Sequence, residues 1–259
     1  MKIITLNLEG IENAAKRGFF DWMLNQAADV VCVQQTLAWE HELTDPVFFP
    51  QGYHAHFFDA YEKAWGGAAI YVRKQPKAVM RGIGQMEADA MGRYMQADYD
   101  RISVVSLAIP SVFDDSDEAV AAAPAMRRKL LAQLGKVRNK RREFILCGDW
   151  QVAHLDIDSL NSAAGADNRC LDPALQDWMD DLLDGAGYAD AFREIDMDPD
   201  HYTWFPAQPE RPEHQRDAWR VDYQIVTSSL RRRVRSAWIA EDAVFSDHRP
   251  LVVEYDLEL

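Results

Sequence analysis

The stretch "DVVCVQQTLAWE", residues 29–40, runs a buried strand straight into two neutral amides. Val30, Val31, Cys32 and Val33 form an unbroken apolar run, the pattern of a strand in a sheet covered on both faces. In an α/β protein the end of such a strand is where chemistry is mounted. Chemistry on phosphates or with metals calls for a carboxylate there, yet Gln34 and Gln35 occupy the place. A plain polar exit from a strand is one reading, an altered site the other.

Strand-like runs recur on both sides of this stretch: "KIITLN" (2–7), "YHAHFF" (53–58), "GAAIYVR" (67–73), "YMQADY" (94–99), "RISVVSLAI" (101–109), "EFILCGD" (143–149), "WRVDYQIV" (219–226) and "PLVVEYDL" (250–257). Helical patterns interrupt them irregularly. Residues 12–28 place Ala15, Phe19, Trp22 and Met23 on one face. Residues 121–140 read as a second helix. Residues 173–187 read as a third, with Pro173 in the first turn and Gly185 or Gly187 as its stop. Many strands with scattered helices predict sheets packed on one another with helices outside, not a simple βαβ array. With no repeat, low-complexity tract or linker, residues 1–259 read as a single domain.

Of the 259 residues 48% are hydrophobic and 27% charged, an ordinary globular balance. The N-terminus "MKIITLNLEG" turns polar too soon for a signal peptide, and no apolar run approaches the roughly 20 residues that span a bilayer. Three cysteines cannot all pair, and Cys32 and Cys147 lie in apolar strand-like runs. The expectation is a soluble cytoplasmic protein that does not engage a membrane. A net charge of −14 argues against generic nucleic-acid binding, though not against a local basic face or an acidic cleft loaded with divalent metal. Two basic runs, Lys136–Arg142 and Arg231–Arg235, read first as solvated charge at element boundaries. There is no Gly-rich phosphate loop, CxxC, HExxH or GxSxG pattern.

Polar residues gather where apolar strands end. Asn7 follows "KIITL", Gln35 follows "VVCV", Asp149 follows "FILCG", Asp222 interrupts "WRVDYQIV", and Ser246-Asp247-His248 precedes the last strand. Five such positions point to one shared rim. The pieces "MKIITLNLEG", "ADVVCVQQT", "GRYMQADY", "CGDWQVAH", "YTWF", "WRVDYQIVT" and "FSDHRPLVVEY" span the chain. Their order and spacing resemble the exonuclease III/AP endonuclease family of the endonuclease/exonuclease/phosphatase superfamily.

The resemblance implies a four-layer α/β sandwich, two packed mixed β-sheets flanked by helices, with the site at one edge. It implies a Mg²⁺- or Mn²⁺-dependent phosphodiesterase acting on DNA as 3′→5′ exonuclease, AP endonuclease or 3′-phosphatase. Asp149 would align or deprotonate the attacking water. His248 would contact the scissile phosphate, Asp222 would orient its imidazole, and Asn7 would steady Asp149 or the phosphate. Asp247 would stand near the metal. Trp204, Trp219 and Val221 match positions that grip a flipped-out abasic sugar, with core packing as the alternative. Chemistry agrees with this set, since phosphodiester hydrolysis needs an activated water, a cation for developing charge and donors around the phosphate.

Three positions depart from the family pattern. Gln35 stands where the family has its metal-binding glutamate, and a neutral carbonyl is a poorer ligand for a hard cation. Gln151 replaces an asparagine that contacts the phosphate, and Ala108 replaces a tyrosine whose hydroxyl reaches it. Weakened activity is the expectation. Glu9, two residues after Asn7, would face the same way if the strand continues and would supply the missing carboxylate; a solvated charge at the Gly10 turn is its other reading. Between motifs, "QPKAVMRGIGQMEADAMGRYMQADYD", "NKRREFILCGD" and "GYADAFREID" also resemble the family's catabolite repression control branch, non-catalytic regulators that bind A-rich RNA with Hfq. The retained Asp149 and Asp247-His248 favour an enzyme over that alternative, and the resemblance of the motifs to the DNA-acting branch favours DNA over small phosphorylated molecules.

Overall fold

In the computed structural model, which describes residues 1–111, 116–137, 142–160, 169–205 and 217–259, two six-stranded sheets lie face to face. Strand β1 (Lys2–Asn7) sits inside the first sheet. It is parallel to β2 (Val30–Gln34) and antiparallel to β12 (Leu251–Tyr255). Beyond β2 come β4 (Ala68–Val72) and then β3 (His54–Phe58), while β11 (Val234–Ile239) edges the other side. The second sheet runs β5 (Ala78–Arg81), β6 (Tyr94–Asp98), β7 (Ile102–Ala108), β8 (Glu143–Asp149), β10 (Asp222–Thr227) and β9 (Tyr188–Asp190). Both sheets mix parallel and antiparallel pairs.

The alternation of side chains along each strand builds four layers. Ile3, Val30, Cys32, Ile70 and Val253 meet Met95, Val104, Ile145, Cys147 and Val226 between the sheets. Ile4, Leu6, Val31, Val33 and Val252 point to the outer face of the first sheet. There they pack on helices α1 (Ile11–Lys16) and α2 (Phe19–Gln26) through Phe19, Phe20 and Met23. On the outer face of the second sheet, Val105, Leu107, Leu146 and Ile225 receive Met126, Leu130 and Leu134 of α4 (Asp117–Val137). Leu175 and Met179 of α5 (Pro173–Asp180) pack there too, while α3 (Met86–Ala90) caps the β5–β6 connection.

Several sequence expectations are corrected. The helix read over 12–28 is two helices, because Gly18 at φ +84° turns the chain between them. The last helix read over 173–187 stops at Asp180 and relaxes into a π turn over Asp181–Gly185, with Gly187 (φ +79°) ending it. "WRVDYQIV" becomes strand only from Asp222. Strands β5, β9 and β11 escaped the sequence reading: β9 is three residues long, and β5 and β11 are partly exposed edges without an apolar run. No helix among the described residues is long and apolar enough to cross a membrane. Cys32, Cys147 and Cys170 are free and buried.

Candidate active site

The parity that fills the inter-sheet core also aims the polar rim. Asn7 shares its face with Ile3, Asp149 with Ile145 and Cys147, Ala108 with Val104, and Asp222 with Val226. Asn7 pairs with Gln34 in the ladder, Ala108 with Asp149, and Asp149 with Asp222. The inter-sheet face is therefore apolar along most of its length and polar at one end.

Asp149 is fully buried. Its Oδ2 accepts the side-chain amides of Asn7 (2.9 Å) and Gln151 (2.6 Å), and its Oδ1 accepts the Gln151 backbone N–H (3.1 Å). A carboxylate oxygen accepts about two hydrogen bonds, so Oδ2 is filled and the open acceptor position is on Oδ1. Burial, with Asp222 alongside, pushes its pKa up to about 6, while His248 and the two amides hold it back.

His248 is buried, with Nδ1 2.7 Å from Asp222 Oδ2. Burial disfavours its charge, but the carboxylates of Asp222, Asp149 and Glu9 outweigh that and raise its pKa to about 9. Ser246 mounts this loop: its Oγ donates to the Asn7 carbonyl (2.6 Å) and accepts the His248 N–H (3.1 Å).

The two glutamines have different fates. Gln34 is wholly buried and ties the sheets together, its amide donating to Thr5 Oγ1 (3.2 Å) in one and Ser106 Oγ (2.9 Å) in the other. Gln35 is half-buried, in a left-handed conformation (φ +50°), and its carbonyl accepts the Gly10 N–H (2.9 Å). The expectation for Glu9 rested on a strand that does not continue, since β1 ends at Asn7 and Glu9 itself turns at φ +48°. The turn nonetheless delivers it: Glu9 Oε2 accepts the Asp247 N–H at 3.2 Å.

Among the described residues no three His, Cys, Asp or Glu converge into a closed metal cage. Glu9 reaches the Asp247 backbone, and the turn after Glu9 is held by the Gln35 backbone carbonyl through the Gly10 N–H, so neighbouring segments carry two carboxylates and one neutral amide. That donor set fits a hard cation of the Mg²⁺ kind, which takes one or two carboxylates and completes its shell with water and substrate phosphate.

Gln151, expected at the phosphate, bonds Asp149 through its side-chain amide. Ala108 is buried and brings no hydroxyl. Trp204 and Trp219 stack on each other with centroids 4.9 Å apart, and Trp219 and Val221 are buried with Ala153 and Cys170. These three residues make a packed wall beside His248.

The described residues of both basic runs lie away from this rim. Arg142 precedes β8, whose far end is Asp149; over seven residues that is about 20 Å. Arg231 pairs with Glu194 (2.8 Å), and Arg233 (3.3 Å) and Arg235 (2.6 Å) with Asp256, at the end of β10 opposite Asp222. Residues 138–141 of the other run lie outside the described residues.

Two features escaped the sequence reading. Asp158 and Arg220, both fully buried, pair at 2.8 Å, with Asp190 and Arg193 joining them. The signal was an arginine between apolar neighbours in "WRVD". The other is Thr203, inside the quoted "YTWF".

Comparison with known proteins agrees with this architecture. A model of the Endonuclease/Exonuclease/phosphatase family matches residues 4–248. The exodeoxyribonuclease of Bacillus subtilis is 27% identical over 253 residues, covering 97% of this chain and 98% of that protein. The zebrafish (Danio rerio) DNA repair nuclease APEX1 is 27% identical over 98% of this chain and 81% of its own length. An AP endonuclease from Archaeoglobus fulgidus superposes with a TM-score of 0.85 at 24% identity, over 99% of this chain and all (100%) of that one. At that identity the superposition speaks for the fold alone.

Proposed function

The chain belongs to the endonuclease/exonuclease/phosphatase family, and within it we propose a metal-dependent DNA phosphodiesterase of the exonuclease III type. The observation that carries this reading is the convergence of Asp149 and the Asp222–His248 pair at one polar end of the inter-sheet face. Near neutral pH a carboxyl of pKa about 6 is ionised and an imidazole of pKa about 9 is protonated, the states a general base and a phosphate-binding cation require. Asp149 takes a proton from the attacking water through Oδ1. With Nδ1 committed to Asp222, His248 presents Nε2–H to a phosphate oxygen, and Asp222 fixes the ring and its charge. A divalent cation, Mg²⁺ or Mn²⁺, held by Glu9 and Asp247 would offset charge developing on the phosphate.

Gln35, Ala108 and Gln151 support the further reading that turnover is slow: one ligand is neutral, one hydroxyl is missing, and one amide is engaged by Asp149. The alternative of an RNA-binding regulator acting with Hfq gains nothing from an assembled hydrolytic triad.

The test is Mg²⁺-dependent cleavage of abasic, nicked and 3′-phosphate duplex DNA by wild type, Asp149→Asn and His248→Ala. Each variant should lose a factor of roughly 10² or more. Wild-type activity that persists in both variants would belong to a contaminant and end the proposal.

A further inference from the structure

Asp222 and His248 come from segments 26 positions apart, and the carboxylate that orients the imidazole is itself weakly held. Its Oδ2 meets His248, but its Oδ1 is buried with no hydrogen-bond partner. Among the described residues no second side chain fixes the carboxylate, as usually happens for a residue that must orient another. The backbone has to do so.

That backbone is gripped by Thr203, which is fully buried. Its Oγ1 accepts the N–H groups of Val221 (3.0 Å) and Asp222 (3.1 Å). Its own N–H donates to the Trp219 carbonyl (3.0 Å), and its carbonyl accepts the N–H of Arg249 (2.6 Å), the residue after His248. The next residues continue the splint. Trp204 bridges both Trp219 and His248, and Phe205 donates its N–H to the Asp247 carbonyl (3.0 Å). One residue thus touches the chain beside both members of the pair, and its hydroxyl is the side-chain acceptor on the Asp222 flank.

We infer that Thr203 is a positioning residue that holds Asp222 in register against His248. The inference deepens the reading of these two as catalytic partners and rests on it for its kinetic arm only.

Thr203→Val keeps the shape and removes the acceptor, leaving two buried N–H groups unpaired; Thr203→Ser restores it. The valine variant should lose roughly 10- to 100-fold in kcat with KM changed less than about threefold, and the serine variant should stay within about threefold of wild type. Thr227→Val is the control for general weakening. It removes the acceptor of the Phe144 N–H (3.3 Å) at the other end of β10 and should lower stability while leaving kcat alone. The second arm reads the low-field proton resonance of His248 Nδ1–H, which needs no turnover. The resonance should shift or vanish in Thr203→Val and persist in Thr203→Ser and Thr227→Val. Should the valine variant fail to fold, Thr203→Cys, close in size with a weak acceptor, makes the same comparison. An unchanged resonance, or an active enzyme whose valine variant keeps wild-type kcat, overturns the inference. A wild type without cleavage would sink the proposed function, and the resonance would still decide the role of Thr203.

Discussion

Asn7 and Asp149, 142 positions apart, meet across the two sheets with Asn7 Nδ2 2.9 Å from Asp149 Oδ2. The contact joins the end of β1 to the end of β8, so closing the sandwich and building the site are one event. It also sets the electrostatics, because the amide stabilises a carboxylate that burial alone would leave more strongly protonated.

The pH profile of kcat/KM should be bell-shaped. Asp149 must be ionised, so activity falls as pH drops through about 6; His248 must be protonated, so activity falls as pH rises through about 9. In Asp222→Asn the carboxylate that most stabilises the imidazolium is gone, and the basic limb should move down. A basic limb that stays in place would show that Asp222 does not set the charge of His248.

Stability should follow the same groups with the sign reversed for the acid. The folded pKa of Asp149 lies above its unfolded value, so ionising it costs stability as pH rises from about 4 to about 6. His248 is raised as well, so its contribution is fully present below about 6.5 and is lost as pH rises through about 9. Urea midpoints of wild type and Asp149→Asn across pH 4 to 7, about the ordinary and raised carboxyl values, should converge at the acid end.

Glu9 and Gln35 make a paired test. Gln35→Glu should lower the Mg²⁺ concentration for half-maximal cleavage, since it puts a charged oxygen where a neutral one sits. Glu9→Gln should be severe alone and mild in the Gln35→Glu background, the non-additivity of two groups serving one ion. Equal effects in both backgrounds would show that Glu9 does not stand in for the missing ligand.

Replacing Arg231 and Arg235 by alanine should leave cleavage within about twofold at moderate salt. These side chains pair with Glu194 and Asp256 at the far end of the sheet, well beyond a screening length of about 10 Å. A large loss would place the DNA path across that pole.

Asp158→Ala should cost about 3 kcal/mol in chemical denaturation. It removes one of two carboxylates facing the fully buried Arg220 and strips Arg193 of its 2.6 Å partner. A cost below about 1 kcal/mol would mean that Asp190 alone neutralises the cluster.

Residue pattern alone identifies most strand runs of the two sheets and the residue types at their ends. Continuous apolar runs leave few choices for "KIITL", "VVCV" and "FILCG", and a polar residue after each points to a rim. The sequence also shows, against the family pattern it resembles, the departures at Gln35, Gln151 and Ala108. What it left open was decided by contacts between distant segments. Glu9 reaches Asp247 through a turn at φ +48°, which strand parity does not foresee. Gln151 binds Asp149 because the chain bends back at φ +56° just after β8. Trp204 and Trp219 find each other only when residues 203–205 are laid between the Asp222 and His248 segments. Thr203 carries no local signal of its role, since its partners lie 18 and 19 positions away and a buried hydroxyl acquires meaning from the N–H groups it meets. Local periodicity fixes which face a side chain takes; only the packed sheets fix which charge or donor stands opposite, and that sets the pKa values on which the chemistry depends.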